Sequence, residues 1–180
     1  MNGPSTMGVP PPRARPKDFL LFRSVLALLI LAFATPALAL PAPMSEQELM
    51  EKSDIVAVVR VLSVSCLAIT KDDKTGQDLP AYLAKVRLME VKKGAAKKGD
   101  EILVTWRAIP KEVLGPWTVY YYPGEVVLTH LTKKSGGATY GSTWWNAKGD
   151  DIKAPESTEL PVTPGETFDA PKDPSDQHPL

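Results

Sequence analysis

The residues whose types and spacing point most clearly to chemistry are eight aromatic side chains crowded into the second half of this chain: Trp106, Trp117, Tyr120, Tyr121, Tyr122, Tyr140, Trp144 and Trp145. Consecutive residues on a strand face opposite ways, so the runs Tyr120-Tyr121-Tyr122 and Trp144-Trp145 cannot all enter one core. Some rings must turn outward or into a groove. An outward indole or phenol offers a flat apolar face with a polar edge, which suits protein interfaces and stacking surfaces. Trp117, Tyr121, Tyr140, Trp144 and Trp145 are therefore the candidate ligand- or partner-binding residues. Of Trp144 and Trp145, one is expected in the core and the other at the surface, where it either binds or caps a barrel end.

Catalytic and metal chemistry find little to work with. His178 is the third residue from the end, which leaves His130 as the one histidine available to a folded site. It alternates with Leu128 and Thr132 along an apolar stretch and reads as a partly buried or edge imidazole with a satisfied nitrogen. The chain has no Cys-x-x-Cys, no His-Glu-x-x-His and no Gly-x-Ser-x-Gly, so the usual signatures of zinc sites and of two hydrolase centres are missing. Asp72-Asp73 and Asp150-Asp151 lack calcium-loop spacing and read as solvated turns. The expectation is no catalytic residue, no metal and no cofactor, hence no enzyme, with a small hydrolase as the weaker alternative.

Cys66 is the one cysteine, so no intramolecular disulfide can form. It closes the run Val61-Leu62-Ser63-Val64-Ser65 and reads as a small buried hydrophobe; an intermolecular bridge is the other use open to it.

The elements that must position the aromatics follow from periodicity. Ser45-Glu46-Gln47-Glu48 has capping-box spacing and predicts a short helix from Glu46 to about Lys52. Ile55 to Cys66 is apolar on both faces for much of its length, as a central strand is. The segment from Thr70 to Asp78 predicts an exposed loop. Tyr82, Ala84, Val86 and Leu88 alternate with Lys85 and Arg87, and Ile102, Val104 and Trp106 alternate with Thr105 and Arg107, so these two strands form a hairpin. Trp117 to Tyr122 and Glu125 to Thr132 are expected as strands joined by a Pro123-Gly124 turn. Ala138 to Ala147 is expected as a sixth strand, closed by a turn at Lys148 to Asp151.

Two flanking segments lie outside that domain. Residues 1–39 read as an export signal: Arg13, Arg15, Lys17 and Arg23 precede the apolar run Val25 to Ala34, and Ala37-Leu38-Ala39 offers a cleavage site. A spanning helix would want about 20 apolar residues, so an uncleaved anchor is the alternative and no stable membrane span is expected after cleavage. Residues 155–180 carry six prolines and six acids against Lys172 alone, too little apolar surface to offset ordering entropy. That tail is expected to be disordered. Residues 40–180 hold 17 basic and 20 acidic residues, a balance that argues against nucleic acid as a partner.

Ser53-Asp54-Ile55-Val56-Ala57-Val58-Val59-Arg60-Val61, a strand ending Val91-Lys92-Lys93-Gly94, and Pro123-Gly124-Glu125-Val126-Val127-Leu128 together resemble the netrin-like, OB-type barrel of tissue inhibitors of metalloproteinases. The likeness covers about residues 46–131 and implies a Greek-key barrel of five or six strands. Those inhibitors reach the protease zinc through an N-terminal cysteine. Here the expected mature N-terminus is Leu40 and the cysteine lies mid-chain, so the resemblance carries the fold and not the inhibition.

The expected fold is mainly β, a small antiparallel OB-like, Greek-key barrel over residues 40–154 with one short N-terminal helix. The expected function is that of an exported, periplasmic or extracellular, non-catalytic binding module. Its partner is another exported protein or a glycan. A structural envelope protein and a protease-inhibitor-like module are the alternatives.

Overall fold

The computed structural model describes residues 41–111 and 118–172. The expected export signal, Trp117 and the last eight residues lie outside the described residues. Among the described residues one helix, α1 (Glu46–Lys52), precedes seven strands: β1 (Ile55–Lys71), β2 (Asp78–Lys93), β3 (Glu101–Arg107), β4 (Val126–Lys133), β5 (Tyr140–Ser142), β6 (Lys148–Lys153) and β7 (Thr167–Asp169). The fold is mainly β, as the alternation of apolar residues requires.

The helix starts where the capping box places it. The Glu48 amide donates to Ser45 Oγ at 3.3 Å and the Ser45 amide donates to Glu48 Oε2 at 2.9 Å. The Ser45 amide, and with it the Ser45 hydroxyl donating to the same oxygen at 3.0 Å, holds the Glu48 carboxyl below its ordinary pKa. At the other end Lys93 Nζ donates to the carbonyls of Met50 at 2.7 Å and Glu51 at 3.0 Å, satisfying acceptors that a helix end leaves open.

Five strands close into a barrel in the order β1-β2-β3-β5-β4 and back to β1. Every pair in the ring is antiparallel except β3 and β5, which run parallel through Val104 and Tyr140. Closure depends on β1. This 17-residue strand pairs with β2 from Val56 to Lys71, with β4 from Ile55 to Arg60, and with β7 at Ser63 to Ser65. Register shifts near Val56, Val58, Val61 and Cys66 bend the strand, as bulges do, so one strand serves two neighbours in turn. Val59, Val61, Val64, Val86, Leu88, Val104, Val127 and Leu131 fill the barrel. Gly94 turns beside the Asp54 carbonyl with φ +112°, at a place where a Cβ would stand 2.6 Å from that oxygen.

The structure corrects four expectations. Residues 118–122 form no strand, and β5 covers three residues rather than ten. Lys148 to Asp151, expected as a turn, begins β6, which pairs with β4. The described part of the tail, residues 155–172, docks on the barrel: β7 adds to β1, Ser65 Oγ bonds Thr167 Oγ1 at 2.7 Å, and Arg60 Nη2 donates to the Pro171 carbonyl at 2.9 Å. The reason is a backbone one. Where β1 leaves β4 its main-chain groups need new partners, and the Cys66 and Leu62 main chains find them at Gly165, Glu166 and Ala170. Pro164 and Pro171 flank β7 without interrupting it. Among the described residues no helix is long and apolar enough to cross a membrane.

Candidate functional site

The aromatic residues separate into a buried set and a groove-lining set. Tyr121, expected as a binding residue, is fully buried. Its hydroxyl bonds Thr129 Oγ1 at 2.6 Å and Ser142 Oγ at 3.1 Å, and its ring tilts against Trp106 at 5.5 Å. Burial pushes the phenol pKa up to about 12. Tyr121 therefore belongs to the core, where the alternation of the three tyrosines puts it, while Tyr120 and Tyr122 stack on each other at 6.5 Å. Tyr140 packs against the core from β5 and is not among the residues that line the groove described below. Trp117 is outside the described residues.

Trp144 and Trp145 do not divide between core and surface. Both are half-buried, because they sit in the turn after β5, closed by the Ala147 amide on the Trp144 carbonyl at 3.1 Å, and a turn does not impose strand alternation. Their indole N–H groups point to the segment before α1. Trp145 Nε1 donates to the Pro41 carbonyl at 3.3 Å and Trp144 Nε1 to the Ala42 carbonyl at 3.2 Å. Asn146 completes the contact: Nδ2 donates to the Met44 carbonyl at 2.8 Å and Oδ1 accepts the Met44 amide at 3.2 Å.

The same two indoles help to line an open groove of about 300 Å³. Trp106 and Thr105 from β3 form part of its wall, with Arg107, Thr118, Lys134, Ser142 and Thr143 supplying cations and hydroxyls. Its described lining contains two cationic side chains and no carboxylate. Trp106 stacks on Tyr82 at 5.3 Å, and its buried Nε1 has no hydrogen-bond partner among the described residues. A flat apolar wall with a cationic rim suits a ligand with carbonyl or carboxylate oxygens. The sequence pattern marked Trp144 and Trp145. It missed Arg107, Lys134 and Asn146, which no local pattern distinguishes from ordinary surface residues.

Three titratable groups of the barrel wall, Glu125, Lys148 and His130, stand on β4 and β6 or beside them. Glu125 is fully buried, and its Oε2 accepts from Lys148 Nζ at 2.7 Å. Burial raises the carboxyl pKa, with the Lys148 bond opposing the shift. Lys148 also donates to the Tyr120 carbonyl at 2.9 Å and lies 5.4 Å from the Tyr122 ring centroid. His130 is buried with Nδ1 at 3.1 Å from the Ala147 carbonyl, while Nε2 has no partner among the described residues. None of these three lines the groove. Burial also raises the Cys66 thiol, which disfavours the thiolate a nucleophile needs. Among the described residues no three of His, Cys, Asp and Glu gather as metal ligands would.

Compared with protein-family models, with curated proteins and with solved structures, the chain matches none.

Proposed function

We propose that this protein is an exported, non-catalytic binding module on an OB-type barrel, and that its ligand surface is the groove between Trp106, Trp144 and Trp145. One observation carries the reading: two half-buried indoles and a third ring wall an open groove rimmed by Arg107 and Lys134. The ring order β1-β2-β3-β5-β4 and its crossing connection support the OB-type assignment. Export rests on the sequence of residues 1–39.

Between the two partner classes, a protein fits better than a glycan. The indole N–H groups already meet main-chain carbonyls within the molecule, and a cationic rim complements acidic or carbonyl-rich peptide surface more directly than neutral sugar. The test is capture from the native envelope fraction by the full chain, compared with Lys134→Glu and with Trp144→Ala plus Trp145→Ala, each checked for folding by circular dichroism. One stoichiometric protein should be retained and then lost in both variants. Retention by both folded variants would move the binding surface elsewhere, and recovery of a polysaccharide in place of a protein would reverse the choice of partner.

A further inference from the structure

We propose that the Trp144-Trp145-Asn146 turn is a receptor for an extended proline-containing peptide, and that residues 41–44 occupy it in cis as an internal ligand that a partner's segment displaces. The inference deepens the binding reading above and rests on it. Four hydrogen bonds hold Pro41-Ala42-Pro43-Met44 in place, and every one reaches a main-chain atom: the carbonyls of Pro41, Ala42 and Met44 and the amide of Met44. None of those bonds reads a side chain of the segment, so a different chain with the same backbone can make them.

The proline positions fit this pattern chemically. Pro41 and Pro43 have no N–H to leave unsatisfied, their φ is fixed, and Pro43 biases Ala42 toward extended backbone. Such a segment loses little entropy on docking, which is the basis of aromatic-groove recognition of polyproline-like ligands. The carboxamide of Asn146 imitates a neighbouring strand by exchanging both bonds with one residue, so it fixes the register.

Two features mark the contact as exchangeable. Ala42 and Pro43 are exposed, so the arm lies on the surface and anchors no core. The two indoles that hold the arm also wall the open groove, and a peptide in trans can therefore take the arm's place and extend into adjoining space. An internal ligand acts at millimolar effective concentration, which keeps the receptor closed to weak competitors.

The probe is the acetylated, amidated peptide Pro-Ala-Pro-Met-Ser. It is titrated into the full chain and into the Pro41→Gly plus Pro43→Gly variant, following the indole ¹⁵N–¹H signals assigned to Trp144 and Trp145. Loosening the arm should shift both signals, and the peptide should return them toward their original positions. Its Kd should be at least tenfold lower for the variant than for the parent chain, and Asn146→Ala in the variant should weaken binding at least tenfold. Indole signals unmoved by the two glycines would make the arm a fixed part of the fold and overturn the inference. So would released indoles that millimolar peptide does not return, or binding indifferent to Asn146→Ala. If the peptide fails while envelope capture still depends on Lys134 and the tryptophans, the groove reading survives without this inference.

Discussion

At the scale of single residues, the Tyr121 hydroxyl and the Glu125 carboxyl are polar groups sunk into the barrel wall, and each has a checkable cost. Tyr121→Phe removes one hydroxyl from a chain that links Thr129 and Ser142. A buried hydrogen-bonded hydroxyl contributes about 1 kcal/mol, more when its partners stay unsatisfied, so urea denaturation should show a loss of about 1–2 kcal/mol. Glu125 has the opposite sign. Its folded pKa lies above 4.5 because burial penalises the charge, so the folded state holds the proton more tightly than the unfolded chain. Its contribution is therefore present at low pH and declines as pH rises above about 4.5 through the folded pKa. The stability of the parent chain minus that of Glu125→Gln should fall over that interval; a difference that rises would mean that Lys148 outweighs burial. Glu101 runs the other way. Lys85 at 2.6 Å and Arg87 at 3.0 Å hold its carboxyl low, which gives stability that is present above the unfolded pKa and lost as pH falls through the folded one. At this scale the sequence was informative about Tyr121 facing away from Tyr120 and Tyr122, but silent on Glu125, whose salt bridge spans 23 residues.

At the scale of elements, what was legible is what side-chain burial dictates. The capping box located α1, two-residue alternation located β2 and β3, and the Pro123-Gly124 turn marked the start of β4, which buries Thr129, His130 and Leu131 in succession. β6 and β7 escaped notice because their residues are almost all exposed: they exist through backbone pairing with β4 and β1, which leaves no apolar period to read. The same holds for the turn at Trp144 and Trp145, whose partners lie 102 and 104 residues away. Ending the chain after Ala154 removes β7 and the Pro171 carbonyl from Arg60, so the melting temperature should drop by roughly 5 °C or more, given a few degrees per kcal/mol for a chain of this size. An unchanged melting temperature would show that the strap adds nothing to stability. Trp144→Ala and Trp145→Ala should each cost about 1–3 kcal/mol, partial losses of aromatic burial plus one hydrogen bond. A large cost at one position with none at the other would restore strand-like alternation.

At the scale of the whole molecule, the proposed binding chemistry lies on a closed barrel without disulfides, at one turn, one strand end and residues 41–44. The barrel supplies rigidity, and the groove supplies aromatic faces with positive charge. The measurement that tests this most directly is photo-crosslinking in the native host from a benzoylphenylalanine placed at Thr118, inside the groove, against the same residue at Ile152, which is exposed on β6 outside it. A discrete protein adduct from position 118 and none from position 152 is the expected result. Adducts of equal yield from both positions, or none from position 118 in folded protein, would contradict a ligand surface at the tryptophan groove.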